Sequence, residues 1–438
     1  MGENNDFALD LSHNAFFLYR ITFYHDEMAL NYIWIAFFLV AFVVALIKLI
    51  FFGDTEIFKL LIDGMFDSAE MAVMKIALPL AGVMTFFMGL LNIGEKAGAI
   101  NFLARLVGPF FNRLFPEVPK NHPAHGQMIM NFSANMLGLD NAATPFGLKA
   151  MQSLQDLNPE KDTASNAQIM FMTLHSSGPV LIPLSVMAQR AIYGAADASD
   201  IFIPCLIGTY VATVTGLLFV AIRQRINLLD PVILGWLGGI TAFLGVILWY
   251  FSTLNKEEIE TSSKVFSNLI LYSFITAFIL GILRKKVDVF ATFIEGAKSG
   301  VETSIRVIPY LVGMLVAISV LRNSGALTYA VDGLKFVFSL TGMNTDFADA
   351  LPTALMHPLS GSGSRAMMID SMKTFGADSF VGRLSCVFQG SSDTILYILA
   401  LYFGSVNVRK TRYTLWAGLT ADFASIVTAI LVSYLFFH

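Results

Sequence analysis

Two polar, helix-breaking runs interrupt an otherwise strongly apolar chain, one in each half. They are residues 135–145 and 357–365, and each is followed by a second polar break in an apolar stretch, at 175–179 and at 389–394. In hydrocarbon, an interrupted helix leaves backbone N–H and C=O groups unpaired, and each such group costs several kcal/mol. Such breaks persist only where protein buries them or where they line a wet cavity. Paired breaks in the two halves of a membrane protein therefore indicate a transport site.

The composition predicts an all-α integral membrane protein. Of the 438 residues, 55% are hydrophobic and 14% are charged, whereas about a quarter are charged in soluble domains. Several apolar runs reach the roughly 20 residues that cross a bilayer. The predicted spans are 32–52, 71–91, 167–187, 201–222, 232–250, 265–283, 305–321, 384–403 and 414–437. Segments 127–151 and 353–372 are predicted to be broken or re-entrant.

Charge and cysteine content limit the partners that we expect. The net charge of −4 offers no basic patch for nucleic acid, so the lipid bilayer and a small-molecule solute are the expected partners. The first thirty residues mix acids with aromatic residues and lack the features of a signal peptide, which favours an interfacial helix. Cys205 and Cys386 each lie in an apolar run, so we expect core residues rather than a disulfide or a metal pair.

The order of landmarks predicts two related halves. Residues 62–70 resemble residues 294–302, with an acid, a glycine and a glutamate in register. An apolar segment, a small polar corner, two breaks and a closing span then follow in each half. We divide the chain as follows: an interfacial helix and first span, 1–53; a first repeat, 54–226; two scaffold spans, 227–286; and a second repeat, 287–438. Whether the repeats are parallel or inverted stays open from these landmarks.

Basic residues predict the orientation of the chain in the membrane. Arg223, Arg225 and the basic run 284–286 flank the two scaffold spans, and the acidic segment 255–260 connects them. The positive-inside rule places the basic flanks in the cytoplasm and the acidic connection outside. The same rule places the basic cluster at 409–412 inside, with less weight.

The breaks of the first half carry an acid, amides and a histidine. Ionisable residues at membrane depth are functional candidates, and Asp140 would join its neighbouring amides around a cavity. Alternatively, Asp140 caps the helix that starts near Pro145. His175 could couple protons to movement, or it could be a neutral histidine bonded to a neighbouring helix. Ser176 and Ser177 could line the site or permit close helix packing.

The breaks of the second half carry hydroxyls, an arginine and an acid. The run 360–365 could cradle an anion at a helix N-terminus, or it could be a plain loop in which Arg365 pairs with Asp370 or snorkels. Asp393 is an acid in an apolar stretch and needs a partner, which favours a site residue. We interpret Arg322 as snorkelling near a segment end and Asp422 as a lone buried acid.

Taken together, these breaks supply one predicted binding site. Its residues are Asn135, Asp140, Asn141, Thr144, His175, Ser176, Ser177, Ser360, Ser362, Ser364, Arg365, Gln389, Ser391, Ser392 and Asp393. Catalytic motifs are scarce, because His122-Pro-Ala-His125 lacks the glutamate of a helical zinc-protease motif and no nucleophile elbow or Walker lysine appears. We therefore predict no enzyme, no catalytic residue and no metal site.

The motifs at the breaks resemble a known family. Residues 138–151 and 173–183 resemble the spore maturation protein A family, and residues 361–366 through 389–394 resemble the spore maturation protein B family. The resemblance covers roughly 54–225 and 287–437. Both belong to the nucleoside-recognition (Gate) domain family, which is distantly similar to concentrative nucleoside transporters and to the membrane domain of ferrous-iron transporters.

This resemblance implies a core like that of concentrative nucleoside transporters, with inverted Gate-like repeats that move by an elevator-like mechanism. We expect a multi-pass protein of the bacterial cytoplasmic (inner) membrane. It would be a secondary transporter of a small polar or zwitterionic metabolite: an amino acid, a small peptide or a nucleoside. The alternative is a non-transporting scaffold or a ligand-binding receptor subunit. We expect no cofactor, H⁺ or Na⁺ as the coupling ion, and leave a homo-oligomer open. The cysteine motif expected for ferrous iron is missing at the breaks.

Overall fold

The computed structural model describes residues 32–438 except 138–139, 179, 286, 341 and 343, and it does not describe the side chains at 140–142, 256, 260, 264, 303, 306 and 307. The interfacial helix predicted before residue 32 lies outside the described residues, and so do the side chains of the acid and amide predicted at Asp140 and Asn141. Within them the chain is helical, with one isolated β-bridge between Thr163 and Lys410.

The first part of the described chain contains helices α1 to α9. They are α1 Tyr32–Phe52, α2 Ile57–Met71, α3 Leu78–Ala97, α4 Ala99–Leu114, α5 Pro123–Met136, α6 Asp140–Leu157, α7 Asn166–Ser176, α8 Leu184–Ile192 and α9 Phe202–Gln224. A π-helical segment, Ala72–Ala77, joins α2 to α3, so that the two form one 41-residue rod, Ile57–Ala97. The predicted span 71–91 lies within this rod.

The second part contains two connecting helices and the second repeat. They are α10 Pro231–Ser252, α11 Lys256–Leu283, α12 Val289–Asn323, α13 Ala326–Ser339, α14 Leu351–Met356, α15 Gly361–Phe375, α16 Phe380–Gly390, α17 Ile395–Ser405 and α18 Thr414–Phe437. A 3-10 segment, Asp346–Ala350, precedes α14. Seven helices of the described chain are long and apolar enough to cross a membrane, or eight if the bent pair of α12 and α13 forms one span.

The order of elements in α3–α9 recurs in α12–α18. Each series runs from a long helix through a sharp corner to a second helix, then a helical hairpin, a broken span and a closing span. Both corners place a glycine in the left-handed region, Gly98 with φ 96° and Gly325 with φ 89°, a conformation that glycine adopts at little cost. The broken spans are α7–α8 and α16–α17, and the hairpins are α5–α6 and α14–α15.

The two long helices α3 and α12 cross closely because glycine lies at their contact. A Cβ atom at Gly300 would lie 2.6 Å from the carbonyl oxygen of Met84, and one at Gly296 would lie 2.5 Å from that of Met88. Small residues at membrane helix interfaces permit such close backbone approach. The amide of Asn92 also donates to the carbonyl of Thr292 at 2.7 Å. The closing spans α9 and α18 also pack against each other, and a Cβ atom at Gly216 would lie 3.2 Å from that of Ala421.

One loop contact joins the first repeat to the second at the end of α6 and the start of α18. The amides of Arg409 and Lys410 both donate to the carbonyl of Asp162 at 2.9 Å, and the amide of Ala164 donates to the carbonyl of Lys410 at 2.9 Å. The Lys410 ammonium lies 2.9 Å from the Asp162 carboxylate. Its hydrogen bond lowers the pKa of that carboxyl. We call this contact the 162–410 clasp.

A second contact joins the end of α8 to the start of α16. Arg190 is fully buried and lies 2.8 Å from Asp200 and 3.1 Å from Asp378. Arg383 binds the other oxygen of Asp200 at 2.7 Å, and Arg190 also donates to the carbonyl of Ala377 at 2.6 Å. We call this contact the 190–378 clasp. Sequence reasoning did not single out its residues.

Candidate functional site

Residues of all four breaks line a cavity of about 230 Å³ between the two repeats. The polar residues in its wall are Asn135, Ser185, His357, Arg365, Gln389, Ser392, Asp393 and Thr394. The apolar residues of α3 that face them are Met84, Phe87, Met88 and Leu91. Apolar residues of the first broken span, such as Val180, Ile182 and Leu184, line the cavity as well, so the broken helices supply its polar groups and α3 supplies only apolar ones.

Backbone hydrogen bonds between the breaks satisfy some of the amide and carbonyl groups that the interrupted helices leave unpaired. In the first repeat, the amide of Leu181 donates to the carbonyl of Met136 at 2.8 Å. In the second, the amide of Leu396 donates to the carbonyl of Pro358 at 3.3 Å. Across the repeats, the amide of Asp393 donates to the carbonyl of Ser176 at 3.1 Å. These bonds tie each broken span to its own hairpin and both spans to each other.

In the first repeat, the predicted residues divide between the cavity wall and the layer behind it. Asn135 lines the cavity, and its side-chain nitrogen lies 2.9 Å from Nδ1 of His175. The same His175 nitrogen lies 2.9 Å from Oδ1 of Asn131. His175 is thus a buried histidine in contact with two asparagines of α5. This geometry resembles the alternative that we considered, in which the histidine bonds to a neighbouring helix. Asn131 was missed, because only the fold brings it to His175.

The two predicted serines of the first repeat bond to the backbone of their own helix. The hydroxyl of Ser176 donates to the carbonyl of Thr173 at 3.2 Å, and that of Ser177 donates to the carbonyl of Leu174 at 3.1 Å. Both serines are buried, so these bonds use their hydroxyl protons inside α7. Thr144 lies half-buried on α6.

In the serine-rich run of the second repeat, Arg365 is the predicted residue that lines the cavity. The hydroxyl of Ser360 caps α15 by accepting from the amide of Gly363 at 3.1 Å, and it lies 3.2 Å from the hydroxyl of Ser362. Ser364 donates to the carbonyl of Thr353 at 2.8 Å. These hydroxyls hold the hairpin, and the guanidinium supplies positive charge to the cavity.

Asp370 pairs with a different arginine from the one we had considered. Nε of Arg322 donates to Oδ2 of Asp370 at 2.8 Å, and a second guanidinium nitrogen contacts the same oxygen. The interpretation of Arg322 as a snorkelling residue was therefore wrong. A charge pair between α12 and α15 fixes it instead, and sequence spacing could not reveal this because the partners are 48 residues apart.

The break between α16 and α17 supplies the cavity with an amide, two hydroxyls and a carboxylate. Gln389, Ser392, Asp393 and Thr394 line the wall, whereas Ser391 donates back to the carbonyl of Val387 at 2.5 Å. The carboxylate of Asp393 accepts from the amide of Thr394 at 2.7 Å, and its side chain is exposed. Arg365 and Asp393 therefore give one cavity both signs of charge.

Asp422 is not a lone acid, because it meets two residues of the second repeat. The hydroxyl of Ser392 donates to its Oδ1 at 2.5 Å, and Nδ1 of His357 lies 3.3 Å from the same oxygen. His357 was not among the predicted site residues, although it begins the second polar run. Serine and aspartate both approach Nδ1 of the imidazole, whereas a hydrolase triad uses the two ring nitrogens separately.

A family model described as nucleoside recognition (Gate) matches residues 77–194 and 304–409, just over half of the chain. The matched segments contain both hairpins and both broken spans. Spore maturation protein B of Bacillus subtilis (strain 168) is 46% identical over 153 residues, which are 35% of this chain and 84% of that protein. Spore maturation protein A of the same organism is 37% identical over 150 residues, 34% of this chain and 76% of that protein. No solved structure matches.

Proposed function

The chain belongs to the nucleoside recognition (Gate) family, and from that premise we propose that it transports a small polar or zwitterionic solute across a membrane through the cavity between its repeats. The observation that carries this proposal is that breaks from two separate repeats line the same cavity. Broken helices at membrane depth are tolerated where they line such a cavity. Paired breaks at a repeat interface are the recurring architecture of secondary transporters.

The two clasps support an inverted arrangement of the repeats. Helices α16 and α17 together form the candidate span Phe380–Ser405, so residues 377 and 410 belong to opposite faces of the membrane. The 190–378 clasp joins the end of α8 to the first of these faces, and the 162–410 clasp joins the start of α7 to the second. The broken spans α7–α8 and α16–α17 then run in opposite directions, as inverted repeats require.

The same faces agree with the basic residues of the chain. Gln224, between Arg223 and Arg225, donates to the carbonyl of Asn166 at 2.7 Å, and Arg412 binds the side chain of the same Asn166 at 3.1 Å. The basic end of α9 therefore shares a face with the 162–410 clasp. By the positive-inside rule this face is cytoplasmic, and the 190–378 clasp is external. We place the protein in the bacterial cytoplasmic membrane.

The lining of the cavity supports a solute with both charges or with several polar groups. Arg365 can bind a carboxylate through paired hydrogen bonds, and Asp393 can bind an ammonium group or ribose-type hydroxyls. Asn135 and Gln389 add amide groups that donate and accept. The wall of α3, with Phe87, suits an apolar body on the solute. An amino acid, a small peptide or a nucleoside meets these requirements.

An elevator-like movement is the mechanism that we propose. The hairpins and broken spans hold the solute. Helix α10 is largely exposed along its length, with 11% of its span buried. Such a peripheral helix suits a scaffold against which the solute-binding unit moves. A gradient of H⁺ or Na⁺ would drive the movement.

A thermal-shift screen of the purified protein against amino acids, dipeptides and nucleosides tests the binding step. A ligand that binds the native state raises its melting temperature by mass action. We expect at least one compound to do so, and we expect Arg365→Gln and Asp393→Asn each to lose the shift. Arg409→Gln, in a clasp loop outside the cavity, serves as the control and should keep it. A shift that survives both cavity substitutions would contradict this site.

A further inference from the structure

Three polar side chains from three separate elements meet at the cavity wall. His357 follows α14, Ser392 lies in the break between α16 and α17, and Asp422 lies on α18. The hydroxyl of Ser392 is 2.5 Å from Oδ1 of Asp422 and 3.2 Å from Nδ1 of His357. Nδ1 of His357 is 3.3 Å from Oδ1 of Asp422. We call these residues the polar trio.

Burial makes the charge of the trio costly unless it is balanced. His357 is 2% exposed and Asp422 is 4% exposed. A buried carboxylate needs a counter-charge or hydrogen-bond donors, because the interior solvates it poorly. Ser392 supplies one donor, and an imidazolium at His357 would supply both a donor and a positive charge.

One arrangement of protons satisfies all three contacts of the trio. A serine hydroxyl carries one proton, and the shorter contact assigns it to Asp422. Nδ1 of His357 then faces two oxygen acceptors, so it carries a proton in the arrangement that satisfies both contacts. One further proton can bind at Nε2. It converts the imidazole to an imidazolium and changes the net charge of the trio from −1 to 0.

We infer that His357, Ser392 and Asp422 form a proton-binding site in the wall of the solute cavity, and that this proton binds together with the solute. The joint binding of proton and solute rests on the proposed transport function. His357 and Ser392 both line the cavity, so a solute can reach the trio directly. A solute group that accepts the Ser392 proton takes a donor from Asp422, which then depends on the imidazolium. Solute and proton therefore favour each other, and the coupling is reciprocal.

The other ionisable groups at the cavity do not replace the trio. Arg365 of α15 and Asp393 of the break line the same cavity with opposite charges. His175 of α7 lies behind Asn135 and is held by two asparagines. The residues that α3 contributes, including Phe87, do not ionise. Asp370 of α15 is paired with Arg322 of α12.

A proton count on the purified full-length protein tests the site without any solute. A pH-indicator dye in weakly buffered solution reports the protons bound between pH 8 and pH 5, the range in which imidazole ordinarily titrates. We expect His357→Gln and Asp422→Asn each to bind about one proton fewer per chain than the unmodified protein. Asp422→Asn keeps the histidine. Loss of the proton in this variant would therefore show that proton binding requires both His357 and Asp422.

The matched control is Asp393→Asn, which removes an acid from the same wall and should keep the proton. The melting temperature of each variant verifies folding, and the double variant His357→Gln/Asp422→Asn replaces a single variant that fails to fold. A count that stays at the unmodified level in His357→Gln, in Asp422→Asn or in this double variant would overturn the proton site.

Vesicle uptake tests whether the proton and the solute bind together. Proteoliposomes with an imposed pH gradient receive a radiolabelled mixture of amino acids and ribonucleosides. We expect the gradient to drive uptake, and Ser392→Ala to keep the proton count but lose that dependence. Uptake that ignores the pH gradient, or that follows a Na⁺ gradient instead, would overturn joint binding and leave transport intact. With no uptake of any labelled solute, the transport proposal and joint binding fail, while the proton count still decides the site.

Discussion

At the scale of single residues, the polar side chains of the breaks fall into two groups. The hydroxyls of Ser177 and Ser364 bond to backbone carbonyls and hold the broken helices in place. The side chains of Asn135, Arg365 and Asp393 line the cavity. Ser392 also lines the cavity, so the type of residue does not separate these groups, and the direction of each side chain depends on the packing of its helix.

The asparagine pair around His175 gives a prediction at this scale. Asn131→Leu removes an oxygen that lies 2.9 Å from Nδ1 of His175 and the buried amide that donates to the carbonyl of Ala143 at 2.7 Å. We expect a loss of about 1–3 kcal/mol in the free energy of unfolding, measured by detergent-induced denaturation. Ser177→Ala is the control and should change it by less than about 0.5 kcal/mol, because it removes a single bond within α7. Equal stability of Asn131→Leu and the unmodified protein would contradict the account.

Sequence reasoning found the acid, the arginine and the amides of the cavity because charges and breaks in an apolar chain are visible signals. It missed Asn131 and His357. Neither residue stands out in its own segment, because the contact partners of the two residues lie 44 and 35 residues away in the sequence. Tertiary contacts of this kind leave no local pattern.

At the scale of elements, the positions of the breaks were predictable from the sequence, but the lengths of the long helices were not. Proline, glycine and serine runs end helices for local steric reasons, so the ends of α7 and α14 could be read from the sequence. The 41-residue rod Ile57–Ala97 could not, because Lys59, Asp63, Asp67 and Glu70 interrupt the apolar pattern of its first part. Its packing against α12 supports helix beyond the apolar window.

The crossing of α3 and α12 gives a prediction for these elements. Gly300→Ala places a methyl group 2.6 Å from the carbonyl oxygen of Met84, so the two helices must separate. We expect a destabilisation of about 1–3 kcal/mol, typical of overpacking, seen as a lower melting temperature. Gly333→Ala on α13 is the matched control, because its new Cβ atom would meet nothing within 4 Å. If the two variants melt at the same temperature, the crossing is not as close as described.

At the scale of the whole molecule, the inverted arrangement that we propose for the repeats rests on the two clasps. Asp162 and Lys410, like Arg190 and Asp378, belong to different repeats. No local pattern in the sequence connects these partners, so the landmarks alone leave the direction of the repeats open. The order of landmarks was visible in the sequence, but their orientation requires these contacts.

Cysteine accessibility tests the inverted arrangement. In a Cys205→Ala/Cys386→Ala background, single cysteines at Glu160 and Arg409 should react only with reagents that reach the cytoplasm. Single cysteines at Ala196 and Thr374 should react with an impermeant reagent added outside whole cells. All four native residues are exposed, so burial does not prevent labelling. Labelling of all four positions from one side would contradict inversion.

Solute flux through the cavity provides the direct test of the transport proposal. Proteoliposomes that contain the protein are preloaded with the compound that gives the largest thermal shift, and entry of its radiolabelled form is followed by counterflow. The account predicts labelled accumulation that Asp393→Asn and Arg365→Gln abolish and that Arg409→Gln leaves unchanged. Binding without accumulation, or accumulation that both cavity variants retain, would contradict the claim that these breaks form a transport site.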